Sequence, residues 1–232
     1  MPDSSAAARL VSATVSAADE IFAVIAAGDE ERVRELVEGR PELAAARDDD
    51  GLSAVLRAAY AGKSTIVELL LDANPALDVF DTAAVGRERG LEELVEADRD
   101  LIRSWSPDGF TSLHLAAFFG HEGAVKLLLE RGADANVVAR HATLQVTPLH
   151  SAAAGGHTGI VTLLLEAGAD ATARQGGGFT PLHAAAQNGD RASAEALLER
   201  GADAGATNDD GQSPADLAAA AGHDDLVDFL TP

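Results

Sequence analysis

Residues 180–203 read TPLHAAAQNGDRASAEALLERGAD, and near-copies of this stretch recur at fixed offsets on both sides. Thr147-Pro148-Leu149-His150 stands 33 residues before Thr180-Pro181-Leu182-His183, and Ser213-Pro214-Ala215-Asp216 stands 33 after it. Thr111-Ser112-Leu113-His114 lies 36 residues upstream of Thr147. After each come paired alanines, a glycine usually followed by His or Asp, and in most copies a run of leucines and a Gly-Ala-Asp. The physics of one unit follows from its residues. Thr180 is a good N-cap and Pro181 takes the first helical position, where a missing N–H costs nothing, so a helix starts there. Ala184, Ala185 and Ala186 keep that helix slim, which lets the next unit approach closely, and Gly189 ends it. A second helix carries Ala194, Leu197 and Leu198 as its apolar stripe and stops at Gly201. Neither helix buries its stripe alone, so the units must stack on their neighbours.

The period and the TPLH-x-A core resemble the ankyrin repeat over roughly residues 17–230. The resemblance implies an all-α solenoid of about six helix-turn-helix repeats joined by β-hairpin-like loops. It also implies that His114, His150 and His183 bridge neighbouring loops, and that the variable positions after the paired alanines line a concave, protein-binding face.

Taken in order, residues 1–15 are rich in Ala and Ser, lack caps or a stripe, and are expected to form a loose arm. Ser16 with Asp19 three residues on has the form of a capping box, so a single repeat domain is expected over residues 16–232. Three atypical repeats run over about 16–105 and three near-consensus repeats over about 106–205. A C-terminal capping repeat at about 206–230 overlaps the last of that count. The third repeat aligns through Ala83 and Ala84, matched to Ala116 and Ala117, and its offset from the second shrinks to 25, so one hairpin's worth of residues is missing. The fourth repeat is followed by a three-residue insertion around Val138 to Gln145, which lengthens one loop without disturbing the helices. Asp216 stands where the other repeats have His, as suits a terminal cap with a polar outer side.

With 38 acidic against 17 basic residues the net charge is -21, a field that repels phosphate backbones, argues against nucleic-acid binding and favours a basic partner. The absence of cysteine removes disulfides and thiolate chemistry and fits a reducing cytoplasm. No secretory start or stretch of membrane-spanning length is present, so a soluble, cytoplasmic monomer is expected. Lys63 and Lys126 are the only lysines, which fits a GC-rich prokaryotic genome and a salt-adapted surface equally.

Candidate chemistry dissolves into the repeat. Successive repeats sit about 10 Å apart, too far for His114, His150 and His183 to share one metal ion. His121, His157 and His223 follow the glycine of their repeats and are expected to cap the second helix. His141 alone falls outside the register, as a partner contact or an ordinary loop residue. Gly62-Lys63-Ser64-Thr65 has the ending of a phosphate-binding loop, but Arg57 stands where the first glycine belongs, and a helix is expected where that loop needs a strand. Asp48-Asp49-Asp50 reads as a solvated turn. No catalytic residues, cofactor or metal are assigned.

The aromatics carry more information. Of nine, five fall where the repeat needs none: Tyr60, Phe110, Phe118, Phe119 and Phe179. Phe110 and Phe179 precede the helix-capping Thr, while Tyr60, Phe118 and Phe119 lie after the paired alanines, beside Gln187 and Asn188 one repeat on. With Arg140 of the inserted loop, these eight residues form the expected partner-binding set, because aromatics bury large area at low entropic cost. Trp105 and Phe80 are assigned to structure, around the shortened third repeat. The chain therefore reads as a non-enzymatic protein-binding module. Two other readings stay open: a small-molecule or enzymatic site in the irregular third repeat near Arg87, Arg89 and Arg103, and a self-associating structural protein.

Overall fold

Local signals place the helices, and the computed structural model describes residues 16–231. The arm expected over residues 1–15 lies outside the described residues. Among these residues fourteen α-helices follow one another as seven pairs: α1 Ala17–Ala27 with α2 Glu30–Gly39, α3 Ala54–Tyr60 with α4 Ser64–Asp72, α5 Val79–Ala84 with α6 Glu88–Ala97, and α7 Ser112–Phe119 with α8 Glu122–Glu130. Then come α9 Pro148–Gly155 with α10 Thr158–Glu166, α11 Pro181–Gln187 with α12 Arg191–Glu199, and α13 Pro214–Ala221 with α14 Asp224–Leu230. The expected C-terminal capping repeat, from Gly211 onward, is the last of these pairs. The all-α class holds, and no strand forms among the described residues, where the one isolated bridge joins Arg47 and Ser53.

The described residues up to Ala76 pack as one compact unit and those from Leu77 onward as a second. The division falls at the shortened period, one repeat before the change from atypical to near-consensus sequence. In the first unit Ile21, Ile25, Val33, Leu56, Ile66 and Leu70 are buried between its two helix pairs. In the second, Leu91, Leu113, Leu128, Leu149, Leu164, Leu182 and Leu197 form a continuous core. Its alanine-rich first helices, α7, α9, α11 and α13, pack on one another more closely than do the second helices α8, α10 and α12.

The hairpin-like loops repeat one geometry. The N–H of Asp48, Ser106, Gln175 and Asn208 donates to the carbonyl of Leu52, Phe110, Phe179 and Gln212, at 3.0, 2.8, 2.9 and 2.9 Å. In the longer loop the matching bond runs from Ala139 to Val146 at 2.8 Å, seven positions instead of four, which locates the three inserted residues. The third repeat has no hairpin. Asp78 caps α5 directly, accepting from the N–H groups of Phe80 and Asp81 at 2.8 Å each. The repeat is also shorter inside its helix: eight positions separate Asp78 from Gly86, where nine separate Thr111 from Gly120. The N–H of Arg87 bonds the Thr82 carbonyl as that of His121 bonds Ala116. Counted from the caps at Asp78 and Thr111, Ala83 and Ala84 keep the expected register with Ala116 and Ala117, whereas the closing bond from Arg87 falls on Thr82, one residue earlier, because α5 is one residue short.

His114, His150 and His183 join one repeat to the next. Each Nε2 lies against a carbonyl of the following hairpin, Val146 at 3.1 Å, Phe179 at 3.3 Å and Gln212 at 3.1 Å. A carbonyl oxygen only accepts, so Nε2 carries the proton and Nδ1 is the acceptor. It takes the N–H of Thr111, Thr147 and Thr180 at 3.3, 3.2 and 3.1 Å, with the threonine hydroxyls at 2.8, 2.9 and 2.8 Å. A second proton on Nδ1 would face these donors inside a buried site. Burial accordingly holds His114 and His150 at about 4, well below the ordinary imidazole value of 6.5, and pushes His183 down as well.

A second joint lies at the other end of the first helices. His121 and His157 occupy the N-cap positions of α8 and α10 without making a side-chain cap bond. The expected role is corrected here: each Nε2 reaches back to the last turn of the preceding repeat's first helix, to Ala84 at 2.8 Å and Phe118 at 2.9 Å. Glycine is required beneath these rings. A Cβ on Gly86, Gly120 or Gly189 would stand 2.3, 2.5 or 2.6 Å from an imidazole atom of His121, His157 or His223. In the first unit Lys63 plays the corresponding part, its Nζ 3.0 Å from where a Cβ on Gly28 would stand. The residues before Lys63 form helix α3, so the Gly-Lys-Ser-Thr sequence belongs to the repeat and not to a phosphate loop. The acidic turn is likewise occupied, with Asp48 and Asp50 both pairing with Arg57.

Two predictions follow from these joints. Native imidazoles that refuse protons below 6.5 lose stability to the unfolded chain as pH falls from about 6.5 toward 4, by up to about 1.4 kcal/mol per pH unit for each histidine, and add no pH dependence above that window. Urea unfolding read by Trp105 emission at pH 7 and pH 5 is expected to show this loss, and His150→Gln, less stable at pH 7, is expected to show a shallower one. Gly120→Ala is expected to destabilise by about 1–3 kcal/mol more than Gly132→Ala. Both glycines have positive φ, 84° and 91°, but only the first faces a ring.

Candidate protein-binding face

The variable positions at the ends of the first helices differ sharply in size along the second unit. They hold Phe118 and Phe119 on α7, Ala154 and Gly155 on α9, Gln187 and Asn188 at the end of α11, and Ala220 and Ala221 on α13. Phe118 is 41% exposed, and its ring meets that of half-buried Phe119 edge to face, with centroids 5.2 Å apart at 80°. The neighbouring helix must be small here, since a Cβ on Gly155 would stand 2.5 Å from the Phe118 carbonyl oxygen. An aromatic pair thus stands beside a floor of Ala154 and Gly155, with exposed Gln187 on the next repeat. Tyr60, 37% exposed at the end of α3, belongs to the first unit.

Asn188 is committed to packing. Its side-chain amide donates to the Ala153 and Ala154 carbonyls at 2.9 and 3.1 Å, closing the last turn of α9. His121 and His157 make this kind of bond at other joints, and the sixth repeat has Asp190 where they stand. Asp190 instead accepts from the Thr158 hydroxyl at 2.9 Å and the Ser193 N–H at 3.0 Å. Asn188 therefore supplies the bond that the absent imidazole would have made.

Phe110 and Phe179 have an architectural role that their sequence positions do not reveal. Each half-buried ring meets the bridging imidazole of its own repeat edge-on, Phe110 with His114 at 5.9 Å and Phe179 with His183 at 5.7 Å, both at 64°. Phe110 also stacks on His141 of the inserted loop at 5.5 Å and 27°. The Arg140 guanidinium lies 4.4 Å over Trp105, whose ring is 6.5 Å from that of His114. The Arg140 N–H donates to the Gly109 carbonyl at 2.8 Å, fastening the inserted loop to the preceding hairpin. Val138 and Leu144 of that loop are exposed large hydrophobics that were not singled out from the sequence. Their signal was apolar residues placed inside an insertion, outside the register that explains the other aliphatics.

Other chemistry finds little support in the geometry. Arg87, Arg89 and Arg103 of the third repeat are all exposed, and Arg89 pairs with Glu93 at 3.0 Å. Among the described residues every buried side-chain nitrogen and oxygen has a partner, and no three His, Asp or Glu side chains come together as a metal site. No helix among them is long and apolar enough to cross a membrane.

A family model described as ankyrin repeats in three copies matches residues 20–139, 80–175, 113–208 and 172–232, staggered matches that together span both units. The chain belongs to the ankyrin repeat family. Arrays of this family are generally protein–protein interaction modules and typically non-enzymatic. No curated protein matches the chain. For this ankyrin array the division of labour among its aromatics is measurable. Phe179→Ala, which uncovers a buried imidazole, and Asn188→Ala, which leaves two carbonyls without their donor, are each expected to cost about 1–3 kcal/mol in urea unfolding. Phe118→Ala is expected to change stability by less than about 0.5 kcal/mol.

Proposed function

We propose that this ankyrin array is a non-enzymatic, monomeric cytoplasmic module that grips a partner protein through the first-helix ends and hairpin tips of its second unit. The observation that carries this is Phe118, a large aromatic kept in solvent beside the smallest residues of the next repeat. Such a ring gains little inside its own fold beyond its edge contact with Phe119, whereas desolvating it against a partner is favourable. Phe119 backs it, and Gln187 offers an adaptable polar contact one repeat on. Tyr60 offers a comparable exposed ring on the first unit.

The charge balance favours a basic partner. Several cations are already spent within the chain: Arg32, Arg57, Arg131 and Arg191 all pair with carboxylates, leaving a large excess of anionic surface. That excess speeds encounter with a positively charged protein, an effect that weakens as salt is added. The test is affinity capture from the source organism's lysate with wild type and Phe118→Ala, the variant first shown to melt like wild type. A partner retained by wild type, lost by the variant and released by raised salt is the expected outcome. A partner held equally by both would remove Phe118 from the interface.

A further inference from the structure

The inserted loop builds something that the other tips lack. Arg140 is exposed and makes neither an ion pair nor a side-chain hydrogen bond among the described residues, in a chain with 38 acidic residues. Arg89, Arg131 and Arg191 of the same unit each pair with glutamate, while Arg87, Arg99 and Arg103 share with Arg140 the lack of an ion pair among the described residues but stack on no ring there. Arg140 is held instead by the face of its guanidinium, 4.4 Å over Trp105, while its backbone is fastened to Gly109. Stacking occupies the face of a guanidinium and leaves its N–H edge, the part that grips a carboxylate through two parallel bonds, without a partner.

The next residue is fixed in the same manner. His141 stacks on Phe110, and its Nδ1 accepts the N–H groups of Thr143 and Leu144 at 3.3 and 3.2 Å. With Nδ1 accepting, the Nε2–H is left as a second donor. Asp108 on the neighbouring tip accepts from the Ser106 hydroxyl. In the same loop Val138 and Leu144 stand 50% and 46% exposed. Two donors, each backed by an aromatic ring, thus share one loop with two exposed aliphatic side chains, a preorganised surface.

We infer that this platform binds a carboxylate set among bulky apolar side chains on a partner protein, the Arg140 edge taking the carboxylate while Val138 and Leu144 cover its apolar neighbours. A polyanion is the wrong occupant, because the net charge of -21 repels it along its whole length. A single carboxylate answers mainly to the nearest cation, since more distant charges are screened over about 8 Å at physiological salt. A partner that is basic overall satisfies both demands, as every protein chain carries carboxylates. The inference deepens the protein-binding proposal at the tips and uses none of the residues around Phe118.

Trp105, the chain's single tryptophan, lies under Arg140 and reports on the site. The probes are the tripeptide acetyl-Leu-Val-Leu with a free C-terminal carboxylate and the same peptide as its amide, each titrated into the full chain. The free acid is expected to change Trp105 emission saturably and to bind about tenfold or more tighter than the amide. Arg140→Gln should erase that advantage, and Arg140→Lys, which keeps the charge but not the planar fork, should restore only part of it. The double variant Val138→Ser, Leu144→Ser keeps Arg140 and is expected to weaken both peptides alike. Phe118→Ala should leave the titrations unchanged, so the failure of either surface is read separately. Acid and amide binding alike, an advantage that survives Arg140→Gln in a variant with wild-type melting, or no saturable response up to about 5 mM would each overturn the inference.

Discussion

The structure of the second unit depends on a hydrogen bond from a buried, uncharged imidazole to the hairpin carbonyl of the next repeat. Apolar stripes drive neighbouring repeats together, but apolar contact is non-directional and leaves their relative height loosely specified. A bond at 3.1 to 3.3 Å between His114, His150 or His183 and one particular carbonyl removes that freedom. The threonine that starts each helix holds the opposite ring nitrogen, so a single side chain ties helix start, hairpin and neighbour together. Phe110 and Phe179 cover two of these rings, and this shielding helps keep them uncharged in water.

Much of the fold was legible because its signals are local. A Thr-Pro start, a slim alanine core and a terminal glycine mark each helix within ten residues, and their recurrence every 33 supplies the architecture. What remained hidden are contacts between repeats. The reach of His157 to the Phe118 carbonyl and of Asn188 to the carbonyls of α9 each join positions 34 to 39 apart. Such bonds leave no mark on either segment taken alone. The missing residue in α5 was hidden for another reason: Thr82-Ala83-Ala84 offers two ways to align a pair of small residues, the cap at Asp78 keeping Ala83 level with Ala116 and the closing bond from Arg87 falling one residue earlier on Thr82.

The candidate face was legible to the extent that the repeat's own needs could be subtracted. Subtraction isolates Phe118 and Tyr60 correctly as exposed rings. It does not foresee that Asn188, Phe110 and Phe179 also make contacts within the array, because the repeat needs residues that compensate for a neighbour's substitution or cover a polar group. The insertion was visible as a change of spacing. Its contents became interpretable only when Arg140 and Trp105, 35 residues apart, were found stacked.

The glycine beneath each imidazole of the second joint has a bearing on how such an array grows. Every repeat carries the glycine, and the fourth, fifth and seventh carry the ring as well, at His121, His157 and His223, whereas Gly62 and Gly156 face open space. A block copied whole and in phase brings a matching half to each new seam, whereas a block cut out of phase brings an unmatched one. Duplication is therefore cheap for this chain at a single length. The departures from that length lie in hairpins, one absent before Asp78 and one extended between Ala139 and Val146, and in α5, whose closing Gly86 still lies beneath the ring of His121.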